Sequence, residues 1–219
     1  MVKRVDLSHA IGDGTITYKG LPAPIICDFL SREDSKVNYD GDTSFHIGTI
    51  EMCSNTGTYI DSPFHRYADG KDLSELSLDA IAGLAGVKVQ ISEGVTTIDR
   101  SHFTDVDVHG KAVIVQTNWS RYWGQDDYFE GHPFLTECAA QYLLDEGAKL
   151  VGIDSYNIDD ISDGRRPVHT ILLGAEVLIV EHMTNLDTLP KSGFSFYAVP
   201  VKVEKFGTFP VRAFAEIDE

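Results

Sequence analysis

The pattern of apolar and polar positions along the chain predicts a domain built mainly from strands. Short apolar runs bounded by turn residues are typical of buried strands. Such runs occur at residues 5–9, 45–52, 87–91, 111–117, 149–154 and 177–181. Residues 194–203 and 209–215 alternate between apolar and polar positions, so we expect these two segments to pair as a closing hairpin.

Helices are fewer than strands in this pattern. The clearest one is predicted at residues 136–147, because Thr136 is a suitable N-cap and Gly147 a suitable terminator. A shorter helical stretch is predicted at residues 168–173. The chain has no internal repeat and no linker-like segment. We therefore predict a single α/β domain over residues 1–219, with a mostly β core and outer helices.

Residues 54–67 interrupt the regular pattern. Gly57 permits backbone angles that other residues avoid, and Pro63 fixes its own φ, so we predict a stiff irregular loop here. That loop would present Tyr59, Asp61 and His65, and polar side chains on rigid loops are often functional. The alternative is a corner in which Asp61 and His65 only satisfy the turn backbone. A second irregular stretch, residues 11–43, is long enough to suggest that it covers or lines a site.

Charge and cysteine content narrow the range of partners. The formal net charge of −16 argues against binding to nucleic acid or to an anionic membrane surface, since both require a basic face. The chain has three cysteines and no C-x-x-C pair, which is typical of a cytoplasmic protein with reduced thiols. No apolar run approaches membrane-spanning length. We expect a cytoplasmic protein that acts on a small molecule.

Several predicted strands end in polar side chains, and ligand sites commonly form where strand ends meet loops. These side chains are Asp61, His65, Asn118, Trp119, Asp154, Ser155, Asn157, His169 and Glu181. Glu181 follows four apolar residues and is expected to be buried. A buried carboxylate is costly unless it is paired, so Glu181 should meet a metal ion or an arginine, with Arg166 and Arg212 as candidates.

The predicted loop resembles the H-x-G-T-H-x-D-x-P-x-H signature of the bacterial kynurenine formamidase and cyclase-like hydrolase family. Here it reads Asn55-Thr56-Gly57-Thr58-Tyr59-Ile60-Asp61-Ser62-Pro63-Phe64-His65. The resemblance continues at residues 5–9, 152–155, 169–173, 181 and 209–213, and so extends over nearly the whole chain. It implies a swivelling β/β/α fold in a homodimer or homotetramer. It also implies hydrolysis of an amide, lactone or cyclic imide-like bond at a divalent metal centre.

The resemblance implies that Asp61, His169 and Glu181 hold one divalent ion and that His65 moves protons. The family's two other metal-binding histidines are replaced by Asn55 and Tyr59. A neutral amide and a phenol are poor ligands for zinc or manganese. Two interpretations follow. Either a single ion is retained, or no metal binds and His65 works with a carboxylate while Tyr59 donates to a developing oxyanion.

The hypothesis for function is attack of water on a carbonyl of a small cyclic or amide substrate, with His65 as the general acid–base. Side chains that would surround the substrate are Tyr18, Asn55, Phe64, Trp119, His132 and Arg212. For the aromatic residues the alternative is core packing, for His132 a turn, and for Arg212 an ion pair with Glu181. A catalytically silent relative that only binds a small molecule is the third interpretation.

Overall fold

The structure is a computed structural model that describes residues 1–218. Its strands are β1 (Val2–Asp6), β2 (Ile25–Leu30), β3 (Ile47–Glu51), β4 (Tyr59–Asp61), β5 (Ala82–Gln90), β6 (Thr97–Ile98), β7 (Ala112–Gln116), β8 (Phe134–Leu135), β9 (Leu150–Ile153), β10 (Leu178–Glu181), β11 (Ser192–Tyr197), β12 (Thr208–Pro210) and β13 (Phe214–Asp218). The α-helices are α1 (Arg32–Ser35), α2 (Glu137–Asp145) and α3 (Pro167–Gly174). Short 3-10 helices lie at Lys36–Asn38, Pro63–His65, Leu78–Ala80, Arg100–His102, Trp119–Tyr122, Asp126–Phe129 and Leu186–Thr188.

One sheet of nine strands organises the domain, in the order β1-β13-β11-β5-β7-β9-β10-β4-β12. Its centre, β5-β7-β9-β10, is parallel and the flanking strands are antiparallel. Side chains alternate across a strand, and in β7 this sends Val113 and Val115 into the core beneath α2 and α3. Ile114 faces a second core on the other side of the sheet, with Phe194 and Phe196. The predicted α/β domain with a mostly β core is confirmed.

The central strands and the main helix follow the sequence pattern. The side chain of Thr136 accepts a hydrogen bond from the backbone of Ala139, and Gly147 has the left-handed φ of 81° that favours glycine. The first strand was predicted at residues 5–9 and lies at Val2–Asp6; beyond it, Ser8 forms only an isolated bridge to Met183.

Two predicted features differ in part from the structure. Residues 54–67 are not wholly irregular, because β4 lies within them, hydrogen-bonded to β10 on one side and β12 on the other. The closing hairpin is correct only in part, because Phe196 and Tyr197 do pair with Ala215 and Phe214, whereas residues 209 and 210 pair elsewhere. Strand β11 pairs with β13, while β12 pairs with β4. Both errors have one cause: a three-residue strand is too short for periodicity to detect, and its partners are distant in sequence.

The segment predicted to be irregular, residues 11–43, contains β2 and α1. Strand β2 pairs with β3 in a two-stranded ribbon that is separate from the main sheet. The ribbon carries exposed apolar side chains, among them Phe29, Ile47 and Ile50, of which Phe29 is 76% exposed. A two-stranded ribbon is marginally stable by itself in water, so this exposure is unusual. Within residues 1–218, no helix has both the length and the apolar character that crossing a membrane requires.

Candidate active site

A cavity of about 380 Å³ opens where β4, β10 and the start of α3 meet. It is lined by Tyr18, Leu21, Asn55, Tyr59, His65, Arg66, Asn157, Arg166, His169 and Glu181. Asp61 is fully buried beside it, with Oδ2 at 3.7 Å from Nε2 of His169. Glu181 Oε2 lies 4.0 Å from the same nitrogen. The structure therefore brings together the four titratable groups that the sequence pattern singled out, from two distant halves of the chain.

Strand β4 sets the positions of the polar side chains. Because alternate residues of a strand share a face, Tyr59 and Asp61 point to the same side. In the antiparallel register, Tyr59 lies opposite Glu181 of β10, and Asp61 lies opposite Thr208 of β12. Pro63 then begins a 3-10 turn that ends at His65, which places this imidazole over the end of the strand.

The orientation of His65 is fixed by Thr208. The Thr208 hydroxyl donates a very short hydrogen bond to Oδ1 of Asp61, and its oxygen lies 2.8 Å from Nδ1 of His65. A hydroxyl has one proton, and a carboxylate only accepts. Thr208 must therefore accept from Nδ1–H, so that neutral His65 carries its lone pair on Nε2. An imidazole held in this way is suited to general base chemistry.

His169 is held from its other ring nitrogen. Its Nδ1 lies 2.6 Å from Oδ2 of Asp159, and that carboxylate also accepts the backbone N–H groups of Val168 and His169 at the start of α3. Burial alone would lower the pKa of His169, but the hydrogen bond to Asp159 and the nearby carboxylates of Asp61 and Glu181 raise the pKa to about 10. Without another cation, His169 is thus a protonated imidazolium between carboxylates.

The donor set around Asp61 fits a divalent cation. Ligand atoms of Asp61, His65 and His169 lie within 4.8 Å of one another. Oδ2 of Asp61 is buried and has no hydrogen-bond partner among residues 1–218. A carboxylate that fixes the far nitrogen of a histidine, as Asp159 does, is the usual support of a metal-binding imidazole. Carboxylate and imidazole donors are those that zinc and manganese accept.

This donor set differs in one member from the predicted set of Asp61, His169 and Glu181. Both oxygens of Glu181 already accept hydrogen bonds, Oε2 from the Tyr59 hydroxyl at 2.7 Å and Oε1 from the backbone N–H of Ile158 at 2.6 Å. Burial raises the pKa of Glu181 to about 7. Arg166 and Arg212 were considered as partners of Glu181, but neither forms an ion pair with this carboxylate.

Tyr59 belongs to a buried chain of hydrogen bonds. Burial, reinforced by the charges of Glu181 and Asp61, raises the pKa of Tyr59 well above its ordinary value. The phenol therefore keeps its proton and donates a hydrogen bond to Glu181. His182 Nε2 lies 3.2 Å from the Tyr59 oxygen, and Nδ1 lies 2.8 Å from the Tyr128 hydroxyl. The predicted contact of Tyr59 with an oxyanion would therefore require the hydroxyl to exchange its hydrogen bond with Glu181.

The predicted substrate-binding residues divide into two groups. Tyr18 and Asn55 line the cavity. Phe64 and Trp119 do not. Phe64 is only half-buried and its backbone N–H pairs with Lys71, while the Trp119 indole donates to the carbonyl of Tyr128 at 3.0 Å. Aromatic residues next to strand ends therefore pack locally here, which is the alternative that the sequence pattern left open.

His132 and Arg212 also lie outside the cavity. A ring nitrogen of His132 lies 3.2 Å from the carbonyl of Asp159, so this histidine supports the residue that holds His169. Arg212 is exposed and donates to Asp6 from Nε at 3.0 Å and from Nη2 at 2.8 Å. The prediction that Arg212 contacts the substrate or Glu181 is wrong, because the ion pair with Asp6 holds it at the surface.

Several residues of the site escaped the sequence analysis. Three of them line the cavity, namely Leu21, Arg66 and Arg166. Three others hold its polar groups in place, namely Thr208, Asp159 and His182. The supporting residues gave no local signal, since their roles depend on pairing between β4, β10 and β12. Arg166 was noticed only as a partner for Glu181.

The fold is that of a class of hydrolases. Solved structures described as hydrolases share it over the full length of this chain. One, described as a potential metal-dependent hydrolase with cyclase activity, is 24% identical with a TM-score of 0.81, each chain covered completely. An isatin hydrolase bound to thioisatinate is 22% identical with a TM-score of 0.84, covering 100% of this chain and 93% of that one.

The family follows from the sequence. A family model described as "Putative cyclase" matches residues 5–160, and the chain therefore belongs to the cyclase family. The kynurenine formamidase of Bacillus anthracis is 26% identical over 215 residues, 96% of each chain. That of Geobacillus thermodenitrificans is 29% identical over 172 residues, 78% of this chain and 79% of the relative. The predicted resemblance to the cyclase-like kynurenine formamidase family is confirmed.

Proposed function

We propose that this protein hydrolyses an amide-type C–N bond of a small molecule, with His65 as general acid–base. The observation that carries the proposal is the Asp61–Thr208–His65 chain of hydrogen bonds, which leaves a lone pair on Nε2 of a histidine that lines the cavity. Relatives named kynurenine formamidase and structures named isatin hydrolase support a reaction at a C–N bond.

In the proposed reaction, His65 takes a proton at Nε2 from the attacking water and returns it to the leaving nitrogen. The Asp61 carboxylate, through Thr208, stabilises the imidazolium that forms between these two transfers. Tyr18 and Asn55 flank the space where the substrate would sit. Bonds and protons balance: the C–N bond breaks, a C–O bond forms, and the water supplies both hydroxide and proton.

We further propose that one divalent ion, zinc or manganese, binds at Asp61 and His169. The third protein ligand is His65 or Glu181. A ligand atom of His65 lies within 4.8 Å of those of Asp61 and His169, and Glu181 Oε2 lies 4.0 Å from Nε2 of His169. When bound, such an ion lowers the pKa of water and polarises a carbonyl. The unpartnered Oδ2 of Asp61 supports this assignment. If Glu181 is the third ligand, His65 stays free for proton transfer.

The test compares turnover of formanilide, isatin and a γ-lactone by wild-type protein and His65→Ala, each before and after chelation. We expect C–N hydrolysis by wild-type protein and roughly a 10²–10⁴-fold lower kcat in His65→Ala. His46→Ala is the matched control, because His46 is exposed and pairs only with Asp28. Turnover that survives chelation would favour metal-free catalysis. Binding of these compounds without turnover would favour the silent relative.

We also propose that the protein is a cytoplasmic homo-oligomer, a dimer or a tetramer. The exposed apolar side chains of the β2–β3 ribbon support self-association, since contiguous exposed apolar patches mark interaction surfaces. The three cysteines are all free, which supports a reducing compartment.

A further inference from the structure

We propose that Arg166 and Arg66 bind an anionic group of the substrate, so that this enzyme selects small amides that carry a carboxylate. The inference rests on the proposed function and specifies its substrate class. Both arginines line the same cavity as His65 and His169.

These two arginines lack the partners that a strongly acidic protein offers. The chain has a formal charge of −16, and four of its eight arginines, Arg4, Arg121, Arg165 and Arg212, pair with carboxylates. Within the part of the chain that the structure describes, Arg32 and Arg100 form no such pair either, but they lie outside the cavity. Among residues 1–218, Arg66 and Arg166 form no ion pair within 4.0 Å. Cations in a cavity with no protein counter-ion are suited to binding an anion from solution, and arginine presents a fork that matches a carboxylate.

Arg166 is held in place by its surroundings. Its φ of 51° and ψ of 61° lie in the left-handed region, which is uncommon for a residue with a side chain and here immediately precedes Pro167. Its Nη1 donates to the carbonyl of Asp160 at 3.1 Å, and Nη2 lies 3.5 Å from the Tyr18 hydroxyl. These contacts use part of the guanidinium and leave other N–H groups for a ligand, since arginine has five donors.

Arg66 approaches the cavity from the neighbouring turn. It follows His65 directly, and its Nε donates to the Thr170 hydroxyl at 3.0 Å. Nη2 lies 3.4 Å from the carbonyl of Arg165, which places Arg66 against the same segment that carries Arg166. One arginine is therefore adjacent in sequence to His65, and the other begins the helix that carries His169.

The cavity is lined by Glu181 and by two cations, Arg66 and Arg166. Glu181 and the buried Asp61 lie beside His169, where the proposed ion and the scissile carbonyl would sit, which leaves the two arginines for the anionic group of a substrate. At the two arginines it would be attracted. This polarity orients a substrate with its anionic group at Arg66 and Arg166 and its neutral amide towards His65.

The experiment compares formanilide with 2-formamidobenzoate, and with the methyl ester of the latter as a neutral compound of similar size. We measure kcat/KM for each with wild-type protein, Arg166→Gln, Arg66→Gln and Arg166→Lys. We expect wild-type protein to prefer the carboxylate over its ester. Each glutamine variant should reduce that ratio about 10- to 100-fold, as expected for the loss of a charged hydrogen bond. Arg166→Lys should retain part of it. Arg212→Gln, which removes an arginine outside the cavity, is the control.

Calorimetric binding of benzoate separates this inference from the proposed function. If wild-type protein hydrolyses none of the amides, the proposed function fails. Benzoate binding that weakens in the two glutamine variants and not in Arg212→Gln would still support the anion site. The inference would be overturned if the ratio of kcat/KM for the carboxylate to kcat/KM for its ester were the same in wild-type protein and in both glutamine variants. It would also be overturned if neither substitution weakened the binding of benzoate. Circular dichroism confirms that each variant is folded.

Discussion

The hydroxyl of Thr208 lies 2.8 Å from Nδ1 of His65 and also donates to Asp61, so a residue of β12 sets the tautomer of a histidine 143 positions earlier. Thr208→Val keeps a branched side chain and removes the hydroxyl that joins His65 to Asp61. We expect kcat to fall about 10- to 100-fold, within the range for impaired general acid–base catalysis, because Nδ1 loses its acceptor. Steady-state kinetics on formanilide measures this.

Thr208→Ser provides the matched control. Serine supplies the same hydroxyl, so turnover should remain within a few fold of the wild-type value. If the valine and serine variants had equal activity, Thr208 would not orient His65.

Gly207 leaves no space for a side chain. A Cβ at this position would lie 2.3 Å from the backbone nitrogen and 2.5 Å from the Cα of His65. Gly207→Ala must therefore displace β12 or the His65 turn. We expect a destabilisation of about 1–3 kcal/mol in urea unfolding and roughly a 10²-fold loss of turnover. Gly164→Ala is the control, since nothing lies within 4 Å of the added carbon. Activity equal to that of the control would show that the turn adapts without cost.

Metal content tests the donor set directly. After loading with Mn²⁺ or Zn²⁺ and desalting, we expect about one ion per chain in wild-type protein and little in Asp61→Asn. Asp159→Asn should weaken binding about 10- to 100-fold, because it removes the support of His169. Elemental analysis measures the ion, and Asp28→Asn at an exposed carboxylate is the control. Retention of a full ion by Asp61→Asn would exclude this site.

The third ligand is identified by two further variants. Glu181→Gln and His65→Gln each remove one candidate. Loss of the ion in His65→Gln would make His65 the third ligand, whereas loss of the ion in Glu181→Gln would leave His65 free for proton transfer.

His9 gives a pH dependence of stability. Its ring stacks on Trp123 with centroids 4.1 Å apart, its Nε2 is buried without a partner among residues 1–218, and burial lowers its pKa to about 4. An unfolded histidine has a pKa near ~6.5, so the unfolded state binds more protons between these values. The folded state therefore loses stability as pH falls from about 6.5 to 4.

His9→Phe keeps a stacked ring and removes this titration. We expect the variant to lose less stability than wild-type protein between pH 7 and pH 4.5, by about 2 kcal/mol, measured as the free energy of unfolding in urea. Identical losses in the two proteins would contradict the assigned cause. His102→Phe, in the 3-10 turn Arg100–His102, is the control.

The β2–β3 ribbon predicts an oligomer. Phe29 is 76% exposed on it, and replacing this side chain with lysine should weaken any association that buries the ribbon. Light scattering on wild-type protein should give the mass of a dimer or tetramer, and Phe29→Lys should shift the mass towards that of the monomer. Lys3→Glu, on β1, is the control. A monomeric wild-type protein would contradict the proposal.

The sequence was sufficient for the parts of the fold that local pattern controls. Strands such as β7 and β10 are apolar runs, and α2 begins and ends at recognisable caps. The same holds for the polar groups Asp61, His65, His169 and Glu181, which stand at the ends of strands or on a helix.

The supporting contacts could not be predicted from local pattern. Thr208 acts through strand pairing, and Asp159 acts through the backbone of α3. Arg212 was chosen for the substrate because its charge was visible in the sequence, yet Asp6 satisfies that charge at the surface. Which arginine remains unpaired is decided by the whole tertiary structure.

Strand β4 also has a consequence for how the chemistry of this chain changes. Its backbone is fixed by neighbours on both edges, so a substitution at position 59 exchanges the group offered to the cavity without moving the main chain. An inserted or deleted residue would instead rotate Ile60 inward and turn both polar neighbours away. The side chain at position 59 can therefore change by single substitutions, whereas the number of residues in the segment cannot change.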